Sequence, residues 1–303
     1  MTTTAQSDVG AIKRLVMKHA SDAFVSSDVI DSQWRDLNYL GQPDIERAIH
    51  EYQGLIELID QFGIEVHFLP RDDRVGLDSI YVRDASVVCD KGVILCNMGK
   101  WQRREEPAVQ EAWFRRLGLP IVGSITGDGT VEGGDLVWLD GRSVAVGQGL
   151  RTNTEGIRQL QELLRDCVDD FVVVPLPHCA VPGDVFHLMS ILSPIDVDLA
   201  LVYPPLLPDS LREPLIARGF DLVEVPDREF HTMGCNVLAV APRRCIMLEG
   251  NPITRERLEQ AGAEVWTFGG REISEKGAGG PTCLTRPLSR EAESSGESKQ
   301  PSE

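Results

Sequence analysis

The sequence contains no long apolar run and no excess of basic residues. Nowhere do about 18 apolar residues follow one another, which is the length that a membrane-spanning helix needs. The segment from Met1 to Gln6 has no basic stretch followed by an apolar one, so we expect no secretion signal. The 303 residues include 47 acidic and 30 basic side chains, and the formal net charge is -17. This charge argues against binding to nucleic acid or to an anionic membrane, and it suits a small cationic partner.

A disulfide framework, a metal motif and a nucleotide motif are also missing. The seven cysteines are an odd number without regular spacing, so we expect reduced thiols and a cytoplasmic location. His178 and Cys179 are adjacent, and adjacent strand residues point to opposite faces, so they do not indicate zinc. The run from Thr126 to Thr130 lacks the Lys and Ser/Thr of a phosphate-binding loop. We therefore expect neither a metal nor a cofactor.

Helical and strand patterns alternate along most of the chain. Apolar residues recur at helical spacing from Ile45 to Phe62, and an alternating segment follows Gly63 at Ile64–Leu69. Further helices are predicted at Glu105–Leu117, Thr154–Cys167, Ser210–Arg218 and Thr254–Ala261. Further strands are predicted at Ser79–Cys89, Gly92–Cys96, Pro120–Val122, Asp135–Leu139, Ser143–Val146, Asp170–Val174, Val185–Leu192, Leu199–Tyr203, Leu222–Val225, Asn236–Ala241, Cys245–Leu248 and Glu264–Trp266. The unit of one helix with several short strands repeats without a linker, which predicts one α/β domain over residues 1–288.

The C-terminal segment differs in composition from the rest of the chain. Residues from Ser289 to Glu303 include no large apolar side chain and are rich in Ser, Glu, Lys, Gln and Pro. Such a segment cannot bury enough apolar surface to offset the entropy of ordering. We therefore predict a disordered tail over residues 289–303.

One cysteine lies in an unusual glycine-rich turn near the end of the predicted domain. This turn is Gly279-Gly280-Pro281-Thr282-Cys283, and upstream lie Glu132-Gly133-Gly134-Asp135 and Phe186-His187-Leu188. A cysteine, a histidine and a carboxylate on separate turns are the components of catalysis by an activated thiolate. Cys283 is the candidate nucleophile. The alternatives are a small buried cysteine and, for His187 among apolar neighbours, a satisfied core histidine.

Together these motifs resemble those of the guanidine-modifying enzymes with the pentein fold, and most of all the dimethylargininases. The resemblance spans the chain from about Arg14 to Leu288. It implies a pentein α/β propeller, in which five pseudo-symmetric ββαβ modules surround a central site. It also implies a small cationic guanidino substrate. The motifs that carry the resemblance are Tyr81-Val82-Arg83-Asp84, Glu132-Gly133-Gly134-Asp135, Leu150-Arg151-Thr152-Asn153, His187-Leu188 and Gly279-Gly280-Pro281-Thr282-Cys283.

The resemblance implies catalytic roles for three residues. Cys283 would attack the guanidino carbon, an amine would leave, and water would hydrolyse the covalent thiouronium to a urea. His187 would give a proton to the amine and take one from water, a task suited to a pKa near about 6.5. Glu132 would support the histidine or the substrate. Asp135 is expected to brace the glycine turn.

The resemblance also implies which residues bind the cationic end of the substrate. Asp78 and Asp84 would hold the guanidinium, because a carboxylate accepts paired N–H bonds from this planar group. Without the resemblance they could equally be caps of a loop and a strand end. Gly277 would contribute its backbone carbonyl.

Two arginines match the family positions that bind the substrate carboxylate. Arg103 and Arg151 are these candidates, because a guanidinium fork recognises a carboxylate well. Arg104 is an alternative to Arg103. The other interpretation is a solvated arginine at a helix start, and it is stronger for Arg103 than for Arg151.

Departures from the family pattern bear on the substrate. Met189 stands where deiminases and amidinotransferases usually have Asp and where dimethylargininases more often have Lys. Arg83 replaces an acid found in some dimethylargininases, and the cysteine turn is closer to that of the deiminases. Hydrolysis of a methylated arginine to citrulline and a methylamine is the leading hypothesis. Three other functions stay open: arginine deimination, amidino transfer, and binding without catalysis. A homo-oligomer also stays open.

Overall fold

A computed structural model describes residues 3–177 and 186–292 of the chain. In this part every helix is too short or too polar to cross a membrane. The helices are α1 Ala20–Phe24, α2 Ser27–Gln33, α3 Ile45–Asp60, α4 Glu106–Arg116, α5 Thr154–Leu164, α6 Asp209–Ala217, α7 Asp227–Phe230 and α8 Pro252–Gln260. The strands are β1 Thr3–Thr4, β2 Ile12–Met17, β3 Glu65–Phe68, β4 Ser86–Cys89, β5 Gly92–Leu95, β6 Ile121–Ser124, β7 Leu136–Asp140, β8 Ser143–Gln148, β9 Asp170–Pro175, β10 Leu192–Asp196, β11 Leu199–Val202, β12 Asp221–Glu224, β13 Leu238–Ala241, β14 Arg244–Leu248, β15 Glu264–Phe268 and β16 Arg286–Glu291.

A single three-stranded plan recurs in four of the five sheets formed by the described residues. In each of them two strands form an antiparallel hairpin, a helix follows, and a third strand pairs parallel with the second. The units are β4-β5-α4-β6, β7-β8-α5-β9, β10-β11-α6-β12 and β13-β14-α8-β15. Each is a ββαβ module, as predicted.

The fifth module is built from both ends of the chain. Strand β16 pairs antiparallel with β2, β2 pairs parallel with β3, and α1 to α3 lie between those two in sequence. The short strand β1 adds to the outer edge of β16. Core clusters connect neighbouring modules, and the largest one includes Val137, Leu201 and Met247 from three successive sheets. The predicted five-module fold is therefore confirmed.

Helix α3 shows how local sequence sets the elements. Asp44 caps its start by accepting a hydrogen bond from the backbone N–H of Arg47 at 2.9 Å. The buried face carries Ala48, Tyr52, Leu55 and Ile59. The chain turns at Gly63 with a φ of 65°, which glycine adopts without strain. The prediction of Ile45–Phe62 as a helix is therefore confirmed to within the last turn.

Three predicted strands begin later than their apolar composition suggested. The segments Ser79–Cys89, Val185–Leu192 and Asn236–Ala241 enter their sheets only at β4, β10 and β13; Val185 lies outside the described residues. Most of the described residues that precede these strands are buried, which gives them the composition of a strand, but their backbones lie outside the sheet ladders. For example, the N–H of Tyr81 donates to the carbonyl of Asp78 at 2.9 Å. These irregular segments carry the site residues described below.

The predicted tail begins too early. Residues 289–291 continue strand β16, and the side chain of Arg290 is buried. Its guanidinium donates to the carbonyls of Gly10 at 2.7 Å and Ala239 at 2.8 Å. Composition missed this ordering because the buried residue is an arginine with carbonyl partners. Residues 293–303 lie outside the described part of the chain.

We predict that Arg290→Leu lowers the free energy of unfolding by about 2–4 kcal/mol. The substitution removes charge-assisted hydrogen bonds and leaves two buried carbonyls without this donor. Urea denaturation measures the change. The exposed Arg165→Ala is the control and should change stability by less than about 0.5 kcal/mol. Equal effects of the two substitutions would contradict the anchoring role of Arg290.

Candidate active site

The segments that precede the first strand of each module meet at one cavity of about 510 Å³. Four of them place a polar side chain on its wall: Asp84 before β4, His187 before β10, Asn236 before β13 and Cys283 before β16. Glu132, before β7, lies behind His187 and is fully buried. Residues that are far apart in sequence therefore lie close together, because the first strands of the modules begin around this cavity.

The cavity contains almost all of the predicted site residues. Glu132 is the exception, since it contacts His187 without lining the cavity. The predicted residues on the wall are Asp78, Asp84, Arg103, Arg151, His187, Gly277 and Cys283.

Backbone hydrogen bonds connect three of the site segments directly. The N–H of Gly133 donates to the carbonyl of Asp84 at 2.8 Å, and the N–H of Arg83 donates to the carbonyl of Cys283 at 3.2 Å. The Nε of Arg83 also donates to the carbonyl of Thr282 at 2.9 Å. Arg83 is buried and supports the cysteine turn, so its departure from the family pattern adds no charge to the cavity wall.

Glu132 is the acid that orients the histidine. Its Oε2 lies 2.7 Å from Nε2 of His187 and 2.8 Å from Nη1 of Arg151. Its Oε1 accepts from the backbone N–H of Lys100 at 2.9 Å. Burial opposes the charged form, but the bonds to His187 and Arg151 hold the pKa of Glu132 below its usual value. The carboxylate is therefore charged and fixed at neutral pH.

His187 lies among acids, and this changes its titration. Burial disfavours the imidazolium, but Asp84, Asp135 and Glu132 outweigh it and raise the pKa of His187 to about 9. This pKa lies above the value of about 6.5 that suits the task in the sequence analysis, because the acids that raise it come from other modules. At neutral pH His187 is an imidazolium, the form that gives a proton to a leaving amine.

Gly134 allows Asp84 and His187 to approach each other. A Cβ at this position would lie 2.7 Å from Nδ1 of His187 and 2.8 Å from Oδ1 of Asp84. The gap between those two atoms is 3.7 Å. A side chain at residue 134 would separate them.

Cys283 is the one partly exposed cysteine among the six in the described residues. Burial and the charge of Asp84 raise the pKa of its thiol to about 11. The free protein therefore holds a thiol, and about one molecule in ten thousand is a thiolate at pH 7. A cation bound in the cavity would favour the thiolate.

The two predicted guanidinium-binding acids differ in their partners. Asp78 is paired with Nζ of Lys100 at 2.6 Å. Asp84 bonds through Oδ2 to Arg103, while its buried Oδ1 has no hydrogen-bond partner among the described residues. A buried acceptor without a donor is costly, so Asp84 Oδ1 is suited to an N–H of a ligand.

Arg103 is placed differently from its predicted role. Its guanidinium donates to Asp84, to both oxygens of Glu106, and to the carbonyls of Asp78 and Tyr81. These bonds make it a buried brace for the acids, which leaves little capacity for a substrate carboxylate.

Of the other arginines, one remains a candidate for the substrate carboxylate. Arg104 is largely exposed and does not line the cavity. Arg151 keeps a side-chain exposure of 19% and pairs through Nη1 with Glu132. Of these three candidate arginines, Arg151 is the one that both lines the cavity and is partly exposed.

Other predicted residues have structural positions. Asp135 accepts from the backbone N–H of Leu188 at 3.0 Å, so it braces the histidine segment rather than the glycine turn alone. Met189 packs into the apolar core and is not on the cavity wall, so residue 189 supplies no second acid. Gly277 must be small, because a Cβ there would overlap the hydroxyl of Tyr81.

One group of side chains in the described part of the chain could also hold a metal ion. Asp84, Glu132 and His187 each offer a ligand atom, and these atoms lie within 4.8 Å of one another. Both carboxylates are already paired with arginines, Asp84 with Arg103 and Glu132 with Arg151, so little of their charge is left for a metal ion. The adjacent pair His178 and Cys179 lies outside the described residues.

Sequence reasoning missed two residues of this site. Lys100 neutralises Asp78, and Asn236 directs its Nδ2 toward Sγ of Cys283 at 3.6 Å. Lys100 stands three residues before a charged run, and Asn236 begins an apolar segment that resembles a strand. Neither has a local signal, because each partner is distant in sequence.

We predict that alkylation of Cys283 in the free protein follows a thiol pKa near 11 rather than about 8.5. The physical reasons are burial and the nearby Asp84. Iodoacetamide labelling across pH, with peptide mapping of Cys283, measures the midpoint. A midpoint at or below about 8.5 would contradict the described environment.

We predict that Glu132→Gln lowers the pKa of His187 from about 9 by at least about one pH unit. The change removes a charge that contacts the imidazole directly. Nuclear magnetic resonance titration of histidine rings measures it, with the exposed Glu57→Gln as the control. A His187 pKa that is the same in both variants would exclude Glu132 as a source of the elevated value.

Comparisons with known proteins identify the family of this chain. The sequence model described as "N,N dimethylarginine dimethylhydrolase, eukaryotic" matches residues 22–290. An N(G),N(G)-dimethylarginine dimethylaminohydrolase of Pseudomonas aeruginosa is 28% identical over 82% of this chain and 91% of its own. An arginine deiminase of Mycobacterium marinum is 32% identical over 53% of this chain and 47% of its own. The solved structure of a Pseudomonas aeruginosa dimethylargininase mutant complexed with citrulline has a TM-score of 0.74 and 24% identity, and it covers 91% of this chain and 98% of that one. The chain therefore belongs to the N,N-dimethylarginine dimethylhydrolase family, whose members are hydrolases that act on the C–N bonds of guanidino groups.

Proposed function

We propose that this protein hydrolyses a methylated arginine, N-omega,N-omega-dimethylarginine or monomethylarginine, to citrulline and a methylamine. The observation that carries the proposal is Oδ1 of Asp84, which has no hydrogen-bond partner among the described residues. This buried acceptor lies 3.7 Å from the imidazole of His187, in the cavity that also contains Cys283. It supplies a place for a guanidinium next to an acid and a nucleophile.

Substrate binding would activate the nucleophile. The thiol of Cys283 has a pKa of about 11 in the free protein, so it must lose its proton before attack. A guanidinium held by Asp84 brings positive charge to the cavity and offsets the acidic field that raises this pKa. The thiol proton leaves to solvent, and the thiolate forms where the electrophilic carbon is bound.

The first half of the reaction would release the amine. Sγ of Cys283 forms a bond to the guanidino carbon and gives a neutral tetrahedral intermediate. The imidazolium of His187 then protonates the methylated nitrogen, and the C–N bond breaks. The products of this half are a methylamine, a neutral imidazole and a cationic S-alkylthiouronium.

The second half would use the neutral imidazole as a base. His187 takes a proton from water, and the oxygen adds to the thiouronium carbon. The C–S bond breaks with its electron pair returning to Cys283, and the ureido group loses its remaining proton to solvent. Glu132 stays charged throughout and holds the ring for both transfers.

The wall of the cavity supports a methylated substrate. Met189 faces the core, so residue 189 adds no second carboxylate for additional N–H donors. A dimethylated nitrogen has no N–H, so it needs no acceptor beside it. Apolar side chains contribute to the wall, namely Leu37, Leu40, Phe186, Phe230 and Met233.

The decisive experiment is product analysis after incubation with asymmetric dimethylarginine, monomethylarginine and arginine in separate reactions. We expect citrulline with dimethylamine or methylamine from the wild type. Cys283→Ser should lose activity by on the order of 10³-fold or more. Cys245→Ser is the matched control, because its Sγ already lies 3.7 Å from the carbonyl of Glu264, which can accept from the new hydroxyl.

The other outcomes reassign the function. Citrulline with ammonia from arginine alone would identify a deiminase, an activity for which the partial similarity to an arginine deiminase is the supporting observation. A new guanidino compound formed only when glycine or lysine is added would identify an amidinotransferase. Absence of any product from reduced, folded protein would contradict hydrolysis of these substrates.

A further inference from the structure

Each of the five modules has one polar residue in the short segment before its first strand, and one of these residues has no role in the proposed mechanism. Asp84, Glu132, His187 and Cys283 lie two to five residues before the first strands of four modules. Asn236 lies two residues before β13 in the remaining module. Its side chain is buried, yet it lines the cavity. The residues from the four other modules take part in the proposed reaction, whereas the amide of Asn236 does not.

The amide of Asn236 is held in one orientation. Its Oδ1 accepts from the backbone N–H of Thr282 at 3.1 Å and from the Thr282 hydroxyl at 2.9 Å. A backbone N–H only donates, so the atom that faces it must be the amide oxygen. The NH₂ group consequently faces Sγ of Cys283, with Nδ2 at 3.6 Å.

The cysteine turn is shaped to receive this amide. A Cβ on Gly280 would lie 2.4 Å from Oδ1 of Asn236 and 2.5 Å from its Cγ. Only glycine allows the turn and the amide to come this close. The glycine of the turn therefore has a packing reason besides backbone freedom.

We propose that Asn236 is a catalytic residue that donates a hydrogen bond to the thiolate of Cys283 and directs it toward the guanidino carbon. This inference rests on the proposed function. The thiolate forms in a buried, acidic environment, where a hydrogen bond to an anion is considerably stronger than one to a neutral thiol. The amide cannot itself ionise, so it stabilises the nucleophile without accepting the proton that His187 must transfer. The two hydrogen bonds from Thr282 hold the amide in one orientation. Its NH₂ group therefore directs the thiolate as well as stabilising its negative charge.

The test uses Asn236→Ala and Asn236→Asp in the full chain. The first removes the donor, and the second keeps the shape and the acceptor for Thr282 but places a carboxylate near Sγ. We expect the midpoint of Cys283 alkylation by iodoacetamide to rise by at least about one pH unit in Asn236→Ala, and further in Asn236→Asp. We expect kcat to fall about 10- to 100-fold with little change in citrulline affinity, since the amide acts on the nucleophile.

Asn97→Ala is the control, because this amide donates to the carbonyls of Gly127 and Gly129 in another module. Its alkylation midpoint should equal that of the wild type. Thermal unfolding verifies that each variant is folded at the labelling temperature. An alkylation midpoint unchanged in either folded Asn236 variant would overturn the inference. The alkylation readout does not require turnover, so failure of the proposed hydrolysis and failure of this inference are separate results.

Discussion

The site is organised around one buried carboxylate, which accepts hydrogen bonds from three different segments of the chain. Glu132 is fully buried and accepts hydrogen bonds from His187, from Arg151 and from the backbone of Lys100. A buried charge without partners costs several kcal/mol, so the segments that carry these donors are held in place by the carboxylate they surround. The same interaction helps keep His187 protonated at neutral pH. An acid ready for the leaving group is therefore a consequence of how the fold satisfies one buried charge.

The architecture explains how residues from distant parts of the chain reach one cavity. In four of the five modules the segment before the first strand places a side chain on the cavity wall, and in the fifth Glu132 lies directly behind His187. The nucleophile belongs to the module that joins the two chain ends, in which β16 pairs with β2. The position of Cys283 thus depends on strands at both ends of the described chain. The strand pairing that closes the fold therefore also positions the nucleophile.

The sequence predicted the modules more completely than the interactions within the site. Periodicity located most helices and hairpins, because each has its own buried face and its own turn residues. The motifs located Cys283 and His187, since glycine turns beside reactive side chains are visible locally. Asn236 was missed because its partner Thr282 is 46 residues away and the segment resembles a strand. The bracing role of Arg103 and the elevated pKa of His187 depend on acids from other modules, which no local pattern reports.

The central claim is that Cys283 forms a covalent bond to the guanidino carbon of a methylated arginine. Acid quenching of the wild type during turnover of asymmetric dimethylarginine, followed by intact mass measurement and peptide mapping, tests it most directly. We expect a mass gain equal to citrulline less one water, located on Cys283. Citrulline production without an adduct on Cys283 under conditions of rapid quenching, or an adduct on another residue, would contradict the account.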